Sequence, residues 1–381
     1  MGYRPMKTIP NKLARSEEGY ALLLALILLL LGSLIITPLL GFMSTGLVVG
    51  QMHEKWAMEL YAADAGVEDA IWKMQTSAAG LPGAGDDPWE YSIADVNDKQ
   101  VNATIAYVDD YTYKITSMAS SDSGGSTTVE SYVAIPNFSF LLNNVITSLG
   151  DVTIQPGTTV EGDIQYNGEL DNKGDIIGEI ITDEIVDWPT AKQLAAFYGE
   201  DVEGLEPYSS NTIDLKNVDD PKSIGPLYRD GDLNIKNTGS QTTASLGGIV
   251  YVTGDLIFQQ PGEPEAYTID LDGQTIYVEG SITFPAHGCT LSGSGCIIAV
   301  GDVTFQPAIS SDANDFVFVM SLEGELWFSP QGDFYGSVAG STHVNLQPNC
   351  SLQWKEYPDG LNFVGEDDSK LQWEIRTWQI S

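Results

Sequence analysis

Residues 20–53 contain no Asp, Glu, Lys or Arg, and the run YALLLALILLLLGSLIITPLLGFMSTGLVVG is apolar almost throughout. A bilayer crossing needs about 20 such residues, so this pattern predicts a membrane-spanning helix. Further on, Trp56, Leu60, Ala63, Val67, Ala70, Ile71 and Met74 recur at steps of three and four, the period of a helix that lays one stripe on a neighbour. One helix over 20–76 accounts for both patterns. Residues 77–88 are rich in Gly, Ala and Pro and predict a loop. Residues 101–108, 111–117 and 127–135 then alternate apolar and polar, and predict a small antiparallel meander within 77–138.

Beyond residue 139 one pattern repeats: a Gly, an acidic or polar residue, and an alternating apolar triplet. The copies begin at Gly150-Asp151, Gly231-Asp232, Gly254-Asp255, Gly280-Ser281, Gly301-Asp302 and Gly324-Glu325. From Gly231 the steps are 23, 26, 21 and 23 residues, and most copies have a second apolar strand just before the Gly. A unit this short cannot bury its apolar face alone. Stacked units can share one core, which predicts a parallel β-solenoid, right-handed β-helix-like, over 139–357. Gly is expected to allow the sharp corner and Asp to bond the turn amides. Between coils, 187–199 reads as one short helix begun by Pro189 and ended by Gly199. The stretch 358–381 reads as a cap or tail, with Trp354, Trp373 and Trp378 expected to cover a solenoid end. The fold class is mainly β with a long N-terminal helix.

Composition narrows the function. With 17 Lys and Arg against 53 Asp and Glu, the net charge is −36, which excludes nucleic acid as a partner because phosphate binding needs a basic surface. The 39 glycines favour tight turns over helix bundles. The three cysteines, Cys289, Cys296 and Cys350, leave two options open: a Cys289–Cys296 disulfide or buried free thiols. Three scattered histidines give no metal-ligand spacing, and no cofactor is expected.

Residues 1–19 are short and polar, with Arg4, Lys7, Lys12 and Arg15 on the side that should stay cytoplasmic. An ordinary signal peptide has a shorter apolar core, and a plain anchor gives no reason for Gly19 at the polar–apolar junction. Arg15-Ser16-Glu17-Glu18-Gly19 ahead of the apolar run resembles a class III prepilin signal. The continuation Glu54-Lys55-Trp56-Ala57-Met58-Glu59-Leu60-Tyr61-Ala62-Ala63-Asp64-Ala65-Gly66-Val67-Glu68-Asp69-Ala70 resembles the stretch after the membrane helix in PilX-like type IV minor pilins. The repeat is similar to the solenoid domain attached to many such proteins and, more distantly, to bactofilin coils. The resemblance implies cleavage after Gly19 by a prepilin peptidase, N-methylation of Tyr20, and partners among other pilin subunits and the membrane. It implies one membrane pass with the C-terminal part extracellular. Major pilins place a Glu at the fifth mature position, and here that position is Leu24. This departure suits a tip or initiating subunit, a minor pilin or pseudopilin.

Three functions remain. The first is a non-catalytic pilin-like subunit that displays a solenoid for adhesion, to surface glycans or a cell surface, or for pilus assembly. The second is an anchored surface protein that does not polymerise. The third is a solenoid polysaccharide-processing enzyme. Lyases of that architecture use an Arg or Lys base, and beyond residue 19 the arginines are Arg229 and Arg376 alone. Glycosidases need two carboxylates facing across a groove, whereas Asp151, Asp232, Asp255 and Asp302 stand at equivalent repeat positions. The expectation is no enzyme.

Overall fold

The computed structural model describes residues 18–76, 81–109, 112–121, 125–135, 138–182, 185, 187–262, 265–310, 314–358, 360–364 and 374–380. The chain forms two units, residues 1–133 with 375–381, and 134–374.

In the first unit α1 (Glu18–Thr76) is one helix of 59 residues, on the order of 90 Å long. Pro38 lies inside it. Its apolar N-terminal part is exposed along its length, whereas Glu59, Ala62, Ala63, Val67, Ala70 and Met74 are buried. The packing stripe therefore starts later than Trp56, which is itself exposed. This stripe meets the sheet formed by β1 (Trp89–Val96), β2 (Lys99–Asp109), β3 (Thr112–Ser120) and β4 (Ser126–Ala134). The pairs β1–β2 and β2–β3 are antiparallel. A Cβ on Gly66 would lie 2.6 Å from Val101 Cγ1 and would overlap Ser117 Oγ, so the small residues of the stripe set how closely the helix approaches the sheet. Glu59 accepts hydrogen bonds from Ser121 Oγ (3.0 Å) and Thr127 Oγ1 (3.5 Å).

The last strand, Glu374–Ile380, pairs beside β4, with Ser131 Oγ donating to Thr377 O at 3.1 Å. The stretch 358–381, expected as a cap or tail, is divided between the two units. Trp378 lies in this strand of the first unit's sheet, while among the described residues of the tail Leu361, Phe363 and Val364 are buried on the solenoid. Trp373 lies outside the described residues. The sheet of the first unit is thus completed by strands from both sides of the solenoid sequence.

The second unit is the parallel β-solenoid, with three strands in most coils. Its first face holds Val250–Val252, Thr275–Val278, Gly295–Ala299 and Val317–Ser321. Its second face is a nine-stranded sheet that includes Leu256–Phe258, Val303–Phe305 and Glu325–Phe328. A third strand, such as Thr242–Leu246, Tyr267–Asp270 or Cys289–Ser292, completes each coil. Inward residues of the three faces form one core, in which Phe258, Phe284, Phe305 and Phe328 follow one another at centroid spacings of 4.2, 5.3 and 5.2 Å.

The first face is apolar on both sides because it is covered on both. Here α2 (Phe140–Asn143) is a single turn, and α3 (Ala191–Glu200) buries Leu194, Phe197 and Tyr198 against Tyr277, Cys296, Ile298 and Phe318. Each such large side chain contributes about 1.5–3 kcal/mol. Thr190, rather than Pro189, caps α3. Its side chain accepts from Gln193 N, the Gln193 side chain accepts from Thr190 N, and Gly199 lies inside the helix.

The chain does not wind the stack from end to end. The first coil, 146–161, pairs on one side with 164–177 and on the other with 333–353. Winding runs outward from 146 to 181, then resumes at Thr212–Asp214 at the opposite end of the stack and returns coil by coil until 333–353 docks on the first.

Candidate functional site

Gly19 and Tyr20 lie in the first turn of α1, with Tyr20 and Leu24 exposed. Residues 1–17, including Arg15, Ser16 and Glu17, fall outside the described residues. Residues 20–50 would span about 46 Å as a helix, more than the roughly 30 Å of a bilayer's hydrocarbon. α1 is the one helix among the described residues long and apolar enough to cross a membrane.

Four of the six repeat glycines are joined in one hydrogen-bonded ladder. Gly254 N donates to Gly231 O (3.3 Å), Gly280 N to Gly254 O (3.2 Å) and Gly301 N to Gly280 O (2.9 Å). Beside them the acidic side chains bond the next coil. Asp232 Oδ1 accepts from Asp255 N (3.0 Å), Asp255 Oδ1 from Ser281 N (2.8 Å) and Asp302 Oδ1 from Glu325 N (2.8 Å). Where the repeat has Ser281, its hydroxyl accepts from Asp302 N at 3.1 Å. Asp151 Oδ1 accepts from Glu169 N (2.8 Å) in the same way, and Asp163, outside the sequence repeat, does so for Glu179 N at another corner.

Five of the six glycines serve the stacking rather than an unusual turn. Of the six, Gly231 alone has a positive φ, +95°. At Gly324 a Cβ would sit 2.6 Å from both Asp302 N and Gly301 C, and at Gly254 it would sit 2.6 Å from Asp232 N. At Gly150 it would overlap Thr342 O, which belongs to the coil docked on it. The expectation that glycine permits a sharp corner holds at Gly231, whose Cβ would meet open space; at Gly150, Gly254, Gly280, Gly301 and Gly324 the corners stack too closely for a side chain.

None of the three cysteines is in a disulfide and all three are buried, so of the two options left open for Cys289 and Cys296 the structure has the buried thiols. Cys289 points into the solenoid core, and Cys296 lies under α3. Burial pushes the Cys289 thiol up to about 12 and that of Cys350 up to about 11, so both stay protonated.

Arg229, a candidate base if the solenoid were catalytic, is engaged with backbone: Nη1 donates to Tyr208 O (2.9 Å) and Nε to Asp232 O (3.0 Å). On the second face, Trp327 stands outward between inward Leu326 and Phe328 and is 39% exposed. Beside it lies a depression of about 240 Å³ lined by Asp302, Val303, Thr304, Gln306, Glu325 and Trp327. The Glu325 carboxylate lies 3.3 Å from His343 Nδ1, and His343 Nε2 lies 2.9 Å from Thr153 Oγ1. Sequence reading passed over Trp327 because it occupies an ordinary strand position. The signal was a large aromatic at the alternation's outward place.

No protein-family model and no curated protein matches the chain. Among solved structures it is similar to the competence-associated pilin ComZ from Thermus thermophilus, at 12% identity over 85% of this chain and 97% of that one, TM-score 0.23. It is also similar to an ice binding protein from an Antarctic Biological Consortium, at 12% identity over 58% of this chain and 91% of that one, TM-score 0.18. Superpositions this loose carry no argument about function.

Proposed function

We propose that the chain is a non-catalytic, type IV pilin-like surface protein that displays its β-solenoid outside the cell. The observation that carries the reading is the division of α1. An uncharged, exposed apolar half begins directly after Gly19, and the second half is buried against an antiparallel sheet. A prepilin peptidase would cut after Gly19 and leave Tyr20 as the methylated first residue. The apolar half would then sit in the membrane and, on assembly, among the helices of other pilin subunits. Leu24 removes the carboxylate that major pilins carry at the fifth mature position, which favours a tip or initiating subunit. The same residue supports a second reading, an anchored surface protein that never polymerises. The repeat acids argue against catalysis, since Asp151, Asp232, Asp255 and Asp302 hold backbone amides of adjacent coils. The identity of the first residue in the mature chain, read on material from membranes and from sheared filaments, tests the proposal.

A further inference from the structure

Parallel strands in register place equivalent positions about 4.8 Å apart, so the outward positions of the second face form one column. It runs Asn234, Ile257, Thr283, Thr304, Trp327, Asn345. Trp327 is its one aromatic. Its strand neighbours Leu326 and Phe328 fill the core, so the indole is fixed on the outer side of the sheet.

We infer that the depression beside Trp327 is a carbohydrate subsite, in which one pyranose ring of a neutral glycan lies on the indole. The inference rests on the solenoid being displayed at the surface, as proposed above. An indole offers a flat apolar face with negative charge above the ring, which suits the C–H-bearing face of a sugar. Around it stand the partners that sugar hydroxyls need. The carboxylates of Glu325 and Asp302 accept, while the Gln306 amide and the Thr304 hydroxyl both donate and accept. Glu325 is steadied by His343, itself bonded to Thr153, so the carboxylate is held beside the depression. Among the described residues the lining contains neither Lys nor Arg, and the chain carries −36 overall. That combination repels uronic acids and sulfated polymers and selects an uncharged chain.

The test uses the full chain in detergent micelles, with cellohexaose, chitohexaose and mannohexaose as neutral probes and polygalacturonate as the anionic one. Binding is followed by saturation-transfer NMR and calorimetry. At least one neutral probe should bind saturably and polygalacturonate should not. Trp327→Ala should weaken that binding about tenfold or more, and Trp327→Tyr should retain part of it. The exposed position and an unchanged circular dichroism spectrum keep the two variants comparable. The inference is overturned if no neutral probe binds, if Trp327→Ala binds as well as the parent, or if Trp327→Ala instead lowers the sedimenting mass, which would place a second copy on the indole. Binding is read on purified protein, so it stands or falls independently of cellular location, which the mature N-terminus reports separately.

Discussion

Replacing Gly324 by Ala isolates the stacking role of the corner glycines. The new methyl carbon would meet Asp302 N and Gly301 C at 2.6 Å, about 1 Å inside van der Waals contact, and would overlap Asp302 Oδ1 as well. Two of these atoms are backbone of the preceding coil and cannot swing aside. Overpacking of this kind costs about 1–3 kcal/mol. Displacing Asp302 also weakens its 2.8 Å bond to Glu325 N, worth roughly 1–2 kcal/mol more for a charged acceptor. Alanine stiffens the unfolded chain and returns about 0.4–1 kcal/mol. The net expectation is a loss of about 2–3 kcal/mol. The assay is urea unfolding of the full chain in detergent, followed by near-ultraviolet circular dichroism. Gly231→Ala serves as contrast: space is open there, with Arg229 Nη2 the nearest atom at 3.7 Å, and the φ of +95° accounts for the strain, about 1–2 kcal/mol. Because Gly324 and Asp302 touch, Gly324→Ala combined with Asp302→Ala should be non-additive by 0.5 kcal/mol or more. A Gly324→Ala midpoint within 0.5 kcal/mol of the parent, with additive double-variant behaviour, would refute the stacking argument.

Two further outcomes are expected. The folded Cys289 thiol, raised by burial to about 12, keeps its proton where an unfolded thiol, near 8.5, has lost it. Its contribution is therefore complete below about pH 8.5 and is lost as pH rises toward 12. Urea midpoints should fall between pH 8 and pH 10.5, less steeply in Cys289→Ala, and native protein at pH 8 should resist iodoacetamide; prompt alkylation would contradict the burial. Gly66→Leu should separate α1 from β2 and β3, destabilising the first unit by about 3 kcal/mol, as seen in earlier protection loss of its sheet amides in hydrogen exchange.

Much of this architecture was legible because its periodicities are local. Alternation in Leu233-Asn234-Ile235 or Val303-Thr304-Phe305 marks a half-buried strand, and a Gly followed by an acidic or polar residue recurs ahead of it in most coils. The third strand escaped because segments such as Thr242-Thr243-Ala244-Ser245-Leu246 are small and weakly apolar, and the unequal spacing concealed them as loops. β1 was likewise missed, since Trp89–Val96 directly follows a Gly- and Pro-rich loop. The order of the stack could not be read at all. That Ile146–Ser148 pairs with Val338, Ala339 and Gly340, or that Thr377 meets Ser131 across 246 residues, depends on long-range register with no local signature. The corner glycines were found for a different reason than the one that requires them, because the atoms that exclude a Cβ belong to another coil.

The central claim is a chain trimmed to a methylated tyrosine at the head of an apolar helix. Mass spectrometry of the protein's N-terminal peptide, from membranes and from filaments sheared off intact cells, tests it most directly. A peptide starting at N-methylated Tyr20 in both fractions is the expected result. A peptide starting at Met1, or at any residue beyond Tyr20, would contradict it.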